Sequence, residues 1–206
     1  MLTKISTPIA VLSEEFMLAE ISHVDAIKSL EELANNPELK KQVADIIKHM
    51  KPGQKPIVNA AMNPAAKAII IALMSLAGAV FADPSGTAQQ DLARAIGSPG
   101  FSIENVTKIE NTAEKNINKD IDGKIKEIND LMAQKDKGKP ADMAANVGGQ
   151  HLIGTNEIEA KILQHMVKID NVLKAQLNSD SLSKSDYDKK IKVMTNSFER
   201  GKPIQL

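Results

Sequence analysis

A run of fifteen residues without any charge, Ala68–Ala82, constrains the fold more than any other feature of this sequence. Asn63-Pro64 can begin a helix before it, and Asp83-Pro84 ends it. A helix that is apolar on every side must be surrounded by other helices or by lipid. Fifteen helical residues span about 22 Å, whereas the hydrocarbon core of a bilayer is about 30 Å thick. We therefore expect 65–82 to be the central, buried helix, with membrane insertion as the alternative.

Amphipathic helices are predicted along most of the remaining chain. Apolar residues recur at three- and four-residue spacing over 8–35, and again between Asn36-Pro37 and Pro52. The longest such run, 103–135, also places acids four residues before bases, as in Asp120 and Lys124, which favours an exposed helix face. No apolar alternation flanked by turn residues predicts a strand. The predicted fold class is all-α, an irregular helical bundle of about seven helices.

The segment 136–155 interrupts this periodicity. It contains Gly138, Pro140, Gly148, Gly149 and Gly154 among small and polar residues. About twenty residues is long for a connection inside a compact domain, where about 4–6 is usual. The sequence therefore predicts a single helical domain, 1–206, in which a flexible loop or linker at 136–155 joins helical parts 1–135 and 156–206.

Composition excludes several functional classes. The 26 basic and 26 acidic side chains cancel, and only two of the basic ones, Arg94 and Arg200, are arginines. A neutral, arginine-poor chain is not expected to bind nucleic acid. The absence of cysteine excludes disulfides, thiolate zinc sites and cysteine nucleophiles. No cofactor is predicted.

One motif resembles a metal site. Asn118, Asp120, Asp122 and Gly123 resemble the first positions of an EF-hand calcium loop, where oxygen ligands precede a glycine turn. The position that should supply a bidentate glutamate is Asn129. The isoleucines keep helical spacing through 118–129, so we interpret this segment as an exposed helix face and predict no metal ligand.

Two histidines are the candidates for any catalytic role. His151 lies in the glycine-rich 149–155 segment, which lacks the lysine of a phosphate-binding loop, and His165 falls on an apolar helix stripe. Neither belongs to a recognised catalytic or metal-binding motif. We therefore assign no catalytic, cofactor-binding or metal-binding residues from the sequence.

The functional prediction is accordingly a non-enzymatic protein that binds another protein through a helical face or the 136–155 loop. The predominance of lysine over arginine, with abundant Ile and Asn, is typical of AT-rich genomes and suggests a bacterial secreted effector or virulence-associated protein. We expect it in the cytoplasm of the producing cell or secreted, without an N-terminal signal peptide. The alternatives are a membrane-active protein inserting 65–82 and an unrecognised enzyme using His151 or His165.

Overall fold

The computed structural model describes residues 23–53, 62–179 and 181–206. This part of the chain is mostly helical, as predicted, with one small antiparallel sheet in addition. Its elements are α1 His23–Ala34, α2 Pro37–His49, α3 Pro64–Leu76, α4 Gly78–Ala82, α5 Thr87–Gly97, α6 Ile103–Met132, a 3-10 turn Lys135–Lys137, β1 Pro140–Val147, β2 Gln150–Asn156, α7 Glu157–Asn178 and α8 Lys184–Arg200. The predicted helix 8–35 is observed from His23, and its beginning, 8–22, lies outside the described residues.

The apolar run lies at the centre of the core, but it forms two helices rather than the single helix predicted over 65–82. Ile70, Leu73 and Phe81 are buried. The break falls at Ala77, whose φ of -144° and ψ of 45° are not helical. A Cβ atom on Gly78 would lie 2.3 Å from the Ser179 carbonyl oxygen, so only glycine permits this approach to the end of α7. No helix in the described ranges is both long and apolar enough to cross a membrane.

A carboxylate from α6 caps the short helix α4. Glu110 accepts hydrogen bonds from the backbone N–H groups of Ala79 and Val80, at 3.0 and 3.1 Å. Burial raises the pKa of Glu110, the two N–H groups oppose that shift, and the neighbouring Glu114 adds to it. The cap supplies the acceptor for the Ala79 N–H and a second acceptor for the Val80 N–H, which also donates to the Ala77 carbonyl at 3.2 Å. Helix α4 has no side-chain cap of its own.

The predicted long helix is confirmed as α6, and it runs without interruption through 118–129. Asp120 forms an ion pair with Lys124 one turn along the helix. An EF-hand loop requires a non-helical turn at its glycine, so this continuous helix does not present a calcium loop. Near its end, the Asn129 amide accepts from the Ile204 N–H at 2.7 Å and donates to the Ile204 carbonyl at 3.0 Å, which anchors the C-terminal residues.

The prediction of a flexible loop without strands at 136–155 is wrong for most of that segment. β1 and β2 pair as an antiparallel hairpin in which Val147 lies opposite Gln150. Gly148 and Gly149 form the two-residue turn with φ of 59° and 86°, and positive φ at both central positions is the signature of a type I′ turn. Val147 and Leu152 are buried on the face that packs against α7. The hairpin is therefore part of the packed structure.

A buried aspartate on α7 fixes the tip of this hairpin. Asp170 is only 1% exposed, and its carboxylate accepts from the Gly148 N–H at 2.9 Å and from the Tyr187 hydroxyl at 2.7 Å. Lys174 supplies the compensating charge at 2.7 Å. Burial, followed by the hydrogen bond to Asp170, raises the pKa of Tyr187. One carboxylate thus joins β1, α7 and α8.

The two turn glycines provide a matched test of hairpin packing. Alanine at either position would be strained by positive φ, but a Cβ on Gly148 would also lie 2.2 Å from Ile191 Cγ2, whereas one on Gly149 would meet nothing within 4 Å. We expect Gly148→Ala to lower the free energy of unfolding by about 1–3 kcal/mol more than Gly149→Ala. Urea unfolding of the two variants measures the difference, and equal losses would mean that the tip does not pack on α8.

Candidate binding groove between α2 and α5

The structure does not bring the two candidate histidines into a common site. His151 is exposed on β2, opposite Asn146 of β1. His165 lies between α7 and α6, with Nδ1 3.2 Å from a Glu127 carboxylate oxygen, although the geometry does not form a hydrogen bond. It lines a pocket of about 460 Å³ together with lysines of both helices, and His151 is not part of that lining.

Metal-ligating side chains do not converge in the described ranges either. No group of three or more His, Asp or Glu residues there is close enough together to hold a metal ion. Asp120 points along α6 toward Lys124, and Asp122 is exposed on the same helix. The oxygen donors that the sequence places near 118–129 are thus distributed around a helix rather than gathered at one point.

A groove of about 1590 Å³ lies between α2 and α5, and it is larger than the pocket that His165 lines. Its α2 wall extends from Pro37 to Lys48, and its α5 wall from Gln90 to Pro99, with Asn63 at one margin. Ala44, Ala93, Gly97 and Ser98 are the small residues in this lining. A Cβ atom on Gly97 would lie 3.9 Å from the Ala44 methyl group, so the two helices approach closely where these residues meet.

Local sequence signals define the two walls of the groove. Asn36 caps α2 by accepting from the Leu39 N–H at 3.0 Å, and Pro37 occupies the first turn. The apolar stripes of both helices, which include Val43 on α2 and Leu92 on α5, are buried in the core. The opposite, polar faces of α2 and α5 line the groove.

A buried glutamine fixes the two walls relative to each other. The Gln89 side chain, on α5, donates from Nε2 to the Ile47 and Met50 carbonyl oxygens at 2.6 and 2.8 Å. Ile47 lies in the last turn of α2, where its carbonyl also accepts from the Met50 N–H, and Met50 directly follows the helix, where carbonyl groups lack the usual helical donors. Asp83 holds the beginning of α5 by accepting from the Ala88 N–H at 3.2 Å. The groove is therefore positioned by hydrogen bonds and does not depend on surface side chains alone.

The groove is basic although the whole chain is neutral. Its lining contains four basic and two acidic residues: Lys40, Lys41, Lys48, Arg94, Glu38 and Asp45. Asp45 lies 3.6 Å from His49, and Arg94 pairs with Asp91 on its own helix at 3.0 Å. Lys40 is half-buried, while Lys41, Lys48 and Arg94 are exposed. The resulting local charge favours an acidic ligand.

Neither histidine nor cysteine occurs among the described residues that line the groove. Comparisons with protein-family models, with curated proteins and with solved structures find no match to this chain. The function of this chain is therefore inferred from the geometry and charge of the groove.

Proposed function

We propose that this chain is a non-enzymatic binding protein that receives a helix of a partner protein in the groove between α2 and α5. The observation that carries the proposal is the size and shape of the groove. Its volume of about 1590 Å³ exceeds the about 300–1,000 Å³ typical of small-molecule pockets. From Pro37 to Lys48 its α2 wall is about 16 Å long, which matches three turns of a helix.

The small side chains in the lining support a helical occupant. Helices pack with axes about 8–10 Å apart, and the shorter separations require small residues at the contact. Gly97 is exposed and Ala44 is half-buried, so these two small residues can contact an incoming helix, whereas Ala93 is buried. A helix laid into a groove is also a common mode of peptide recognition, in which side chains three and four residues apart act as anchors.

Burial of α3 and α4 supports this proposal over insertion of 65–82 into a membrane, because their apolar side chains already have partners in the core. Neither His151 nor His165 lines the groove, so the groove gives no support to the alternative of an enzyme that uses His151 or His165. The further proposal that this binding protein is a bacterial secreted effector is supported only by its composition, which is rich in Lys and Ile.

Site-specific crosslinking tests the proposed groove. A photoreactive amino acid replaces Gln90, which is exposed in the lining, and in a control protein it replaces Lys126, which is exposed on α6. We expect a discrete protein adduct from position 90 in the cells that produce the chain, and its loss when Ala44→Trp fills the groove. Circular dichroism verifies that Ala44→Trp remains folded. Equal adducts from both positions, or an adduct that persists in Ala44→Trp, would refute the assignment.

A further inference from the structure

We propose that the partner segment in the groove is an acidic amphipathic helix, with small or aliphatic residues on one face and carboxylates seven residues apart beside it. This inference rests on the proposed function, because it specifies the occupant of the same groove. It follows from the positions of the basic side chains on the two walls and of the small residues between them.

The spacing of the lysines on α2 defines one row of contacts. Lys41 and Lys48 are seven residues apart, so they lie on the same stripe of the helix, about 10 Å from each other. A helix that runs along α2 presents side chains seven residues apart at the same interval. Carboxylates at such positions would therefore meet both ammonium groups.

Arg94 gives the opposite wall a positive charge as well. It is exposed on α5, one turn from Gln90, and its guanidinium pairs with Asp91 through one nitrogen at 3.0 Å. An arginine has five N–H donors in a planar fork, so other donors remain for a carboxylate of the occupant. The α2 wall has three lysines against Glu38 and Asp45, so its net charge is positive. Arg94 on the α5 wall is partly offset by Asp91, so the preference for an acidic helix over a basic one comes mainly from α2.

The test compares two synthetic helical peptides of about 18 residues, long enough to retain helical structure. Both have the same Ala and Leu face, and one has Glu where the other has Lys. Each is titrated into the full-length chain labelled with ¹⁵N, and amide shifts of Ala44, Ala93 and Gly97 report on the groove. We expect the acidic peptide to bind at least about tenfold more tightly at low salt, because electrostatic complementarity sets partner preference.

Two double variants with the same net charge distinguish an effect of the groove from an effect of the total charge of the protein. Lys41→Glu combined with Arg94→Glu should reverse the preference, so that the basic peptide binds more tightly. Lys126→Glu combined with Lys189→Glu changes exposed lysines on α6 and α8 by the same total charge and should leave the preference intact. Reversal by both pairs would mean that net charge, rather than the groove, selects the peptide, which would overturn the proposal.

The possible outcomes separate this inference from the proposed function. Equal binding of both peptides at the groove overturns the acidic preference but leaves helix binding in place. If neither peptide shifts the groove amides, the result counts against both the acidic preference and the binding of a helix. Glu14, Glu15 and Glu20 provide a further control, because they belong to this same chain. If their replacement by Gln shifts the groove amides without peptide, the occupant is the 1–22 segment, and the partner proposal is overturned.

Discussion

Ile70→Asp is expected to abolish cooperative folding. Ile70 is 0% exposed on α3, and the residues around it are the apolar side chains of the core. An uncompensated buried charge costs several kcal/mol, a large share of the about 5–15 kcal/mol that stabilises a typical domain. The lost isoleucine packing adds about 2–5 kcal/mol. Circular dichroism and a thermal melt should therefore show no cooperative transition in this variant.

The control introduces the same charge on the opposite side of the same helix. Ala68 is exposed on α3, so Ala68→Asp changes helix propensity and charge without placing the carboxylate in the core. Its cost should be within about 1 kcal/mol, as for most surface substitutions. If Ile70→Asp melts at the temperature of the unsubstituted chain, α3 is not the centre of the core.

Asp170→Ala is expected to lower the free energy of unfolding by about 2–5 kcal/mol, because each polar group that loses a buried acceptor costs about 1–3 kcal/mol. The Gly148 N–H and the Tyr187 hydroxyl would each lose an acceptor. Lys174, in contrast, is about half exposed and can be solvated by water. The loss should therefore come mainly from the hairpin tip and α8. Urea unfolding monitored by circular dichroism measures it.

Two further variants test the cause of this loss. Tyr187→Phe removes one of the hydrogen bonds to Asp170 and should cost about 0.5–1.5 kcal/mol, the usual range for a single bond. Asp188→Asn changes a neighbouring exposed carboxylate that pairs with Lys184, and an exposed pair contributes at most about 1 kcal/mol. A loss under about 1 kcal/mol for Asp170→Ala would contradict the assigned role of this carboxylate.

The helices were largely predictable because their signals are local. Asn36-Pro37 begins α2, Ser102 caps α6, and isoleucines at three- and four-residue spacing mark the buried side of α6. The division of the apolar run was not predictable in this way. It depends on the close approach of Gly78 to Ser179, about a hundred residues later in the chain, and on the cap from Glu110.

The hairpin had a sequence signal that the prediction did not use. Gly148-Gly149 is a two-residue turn dipeptide of the kind that joins the two strands of a hairpin. The strands themselves are weak because β1 is rich in alanine and buries only part of one face against α7. An exposed Ile153, 60% accessible on β2, further obscures the alternation.

The groove had no sequence signal. In the sequence, nothing distinguishes Lys41, Lys48 and Arg94 from ordinary solvated helix residues. They come to line the same groove only when α2 and α5 pack together. Gln89, which joins those helices, lies 42 residues from Ile47. Periodicity describes one helix at a time, so it predicts which face is polar but not which polar faces meet.

The dependence of α4 on Glu110 has a consequence for the order of folding. Isolated helices shorter than about 12–15 residues are marginal in water, and α4 has only five residues. Its cap comes from Glu110, which is 31 residues from Ala79 and 30 residues from Val80 in the sequence. Nucleation can thus start in α6, whose thirty residues carry their own cap at Ser102. The last turns of the apolar run then acquire helical structure by docking onto a surface that is already formed, so α4 is a product of tertiary assembly and not one of its nuclei.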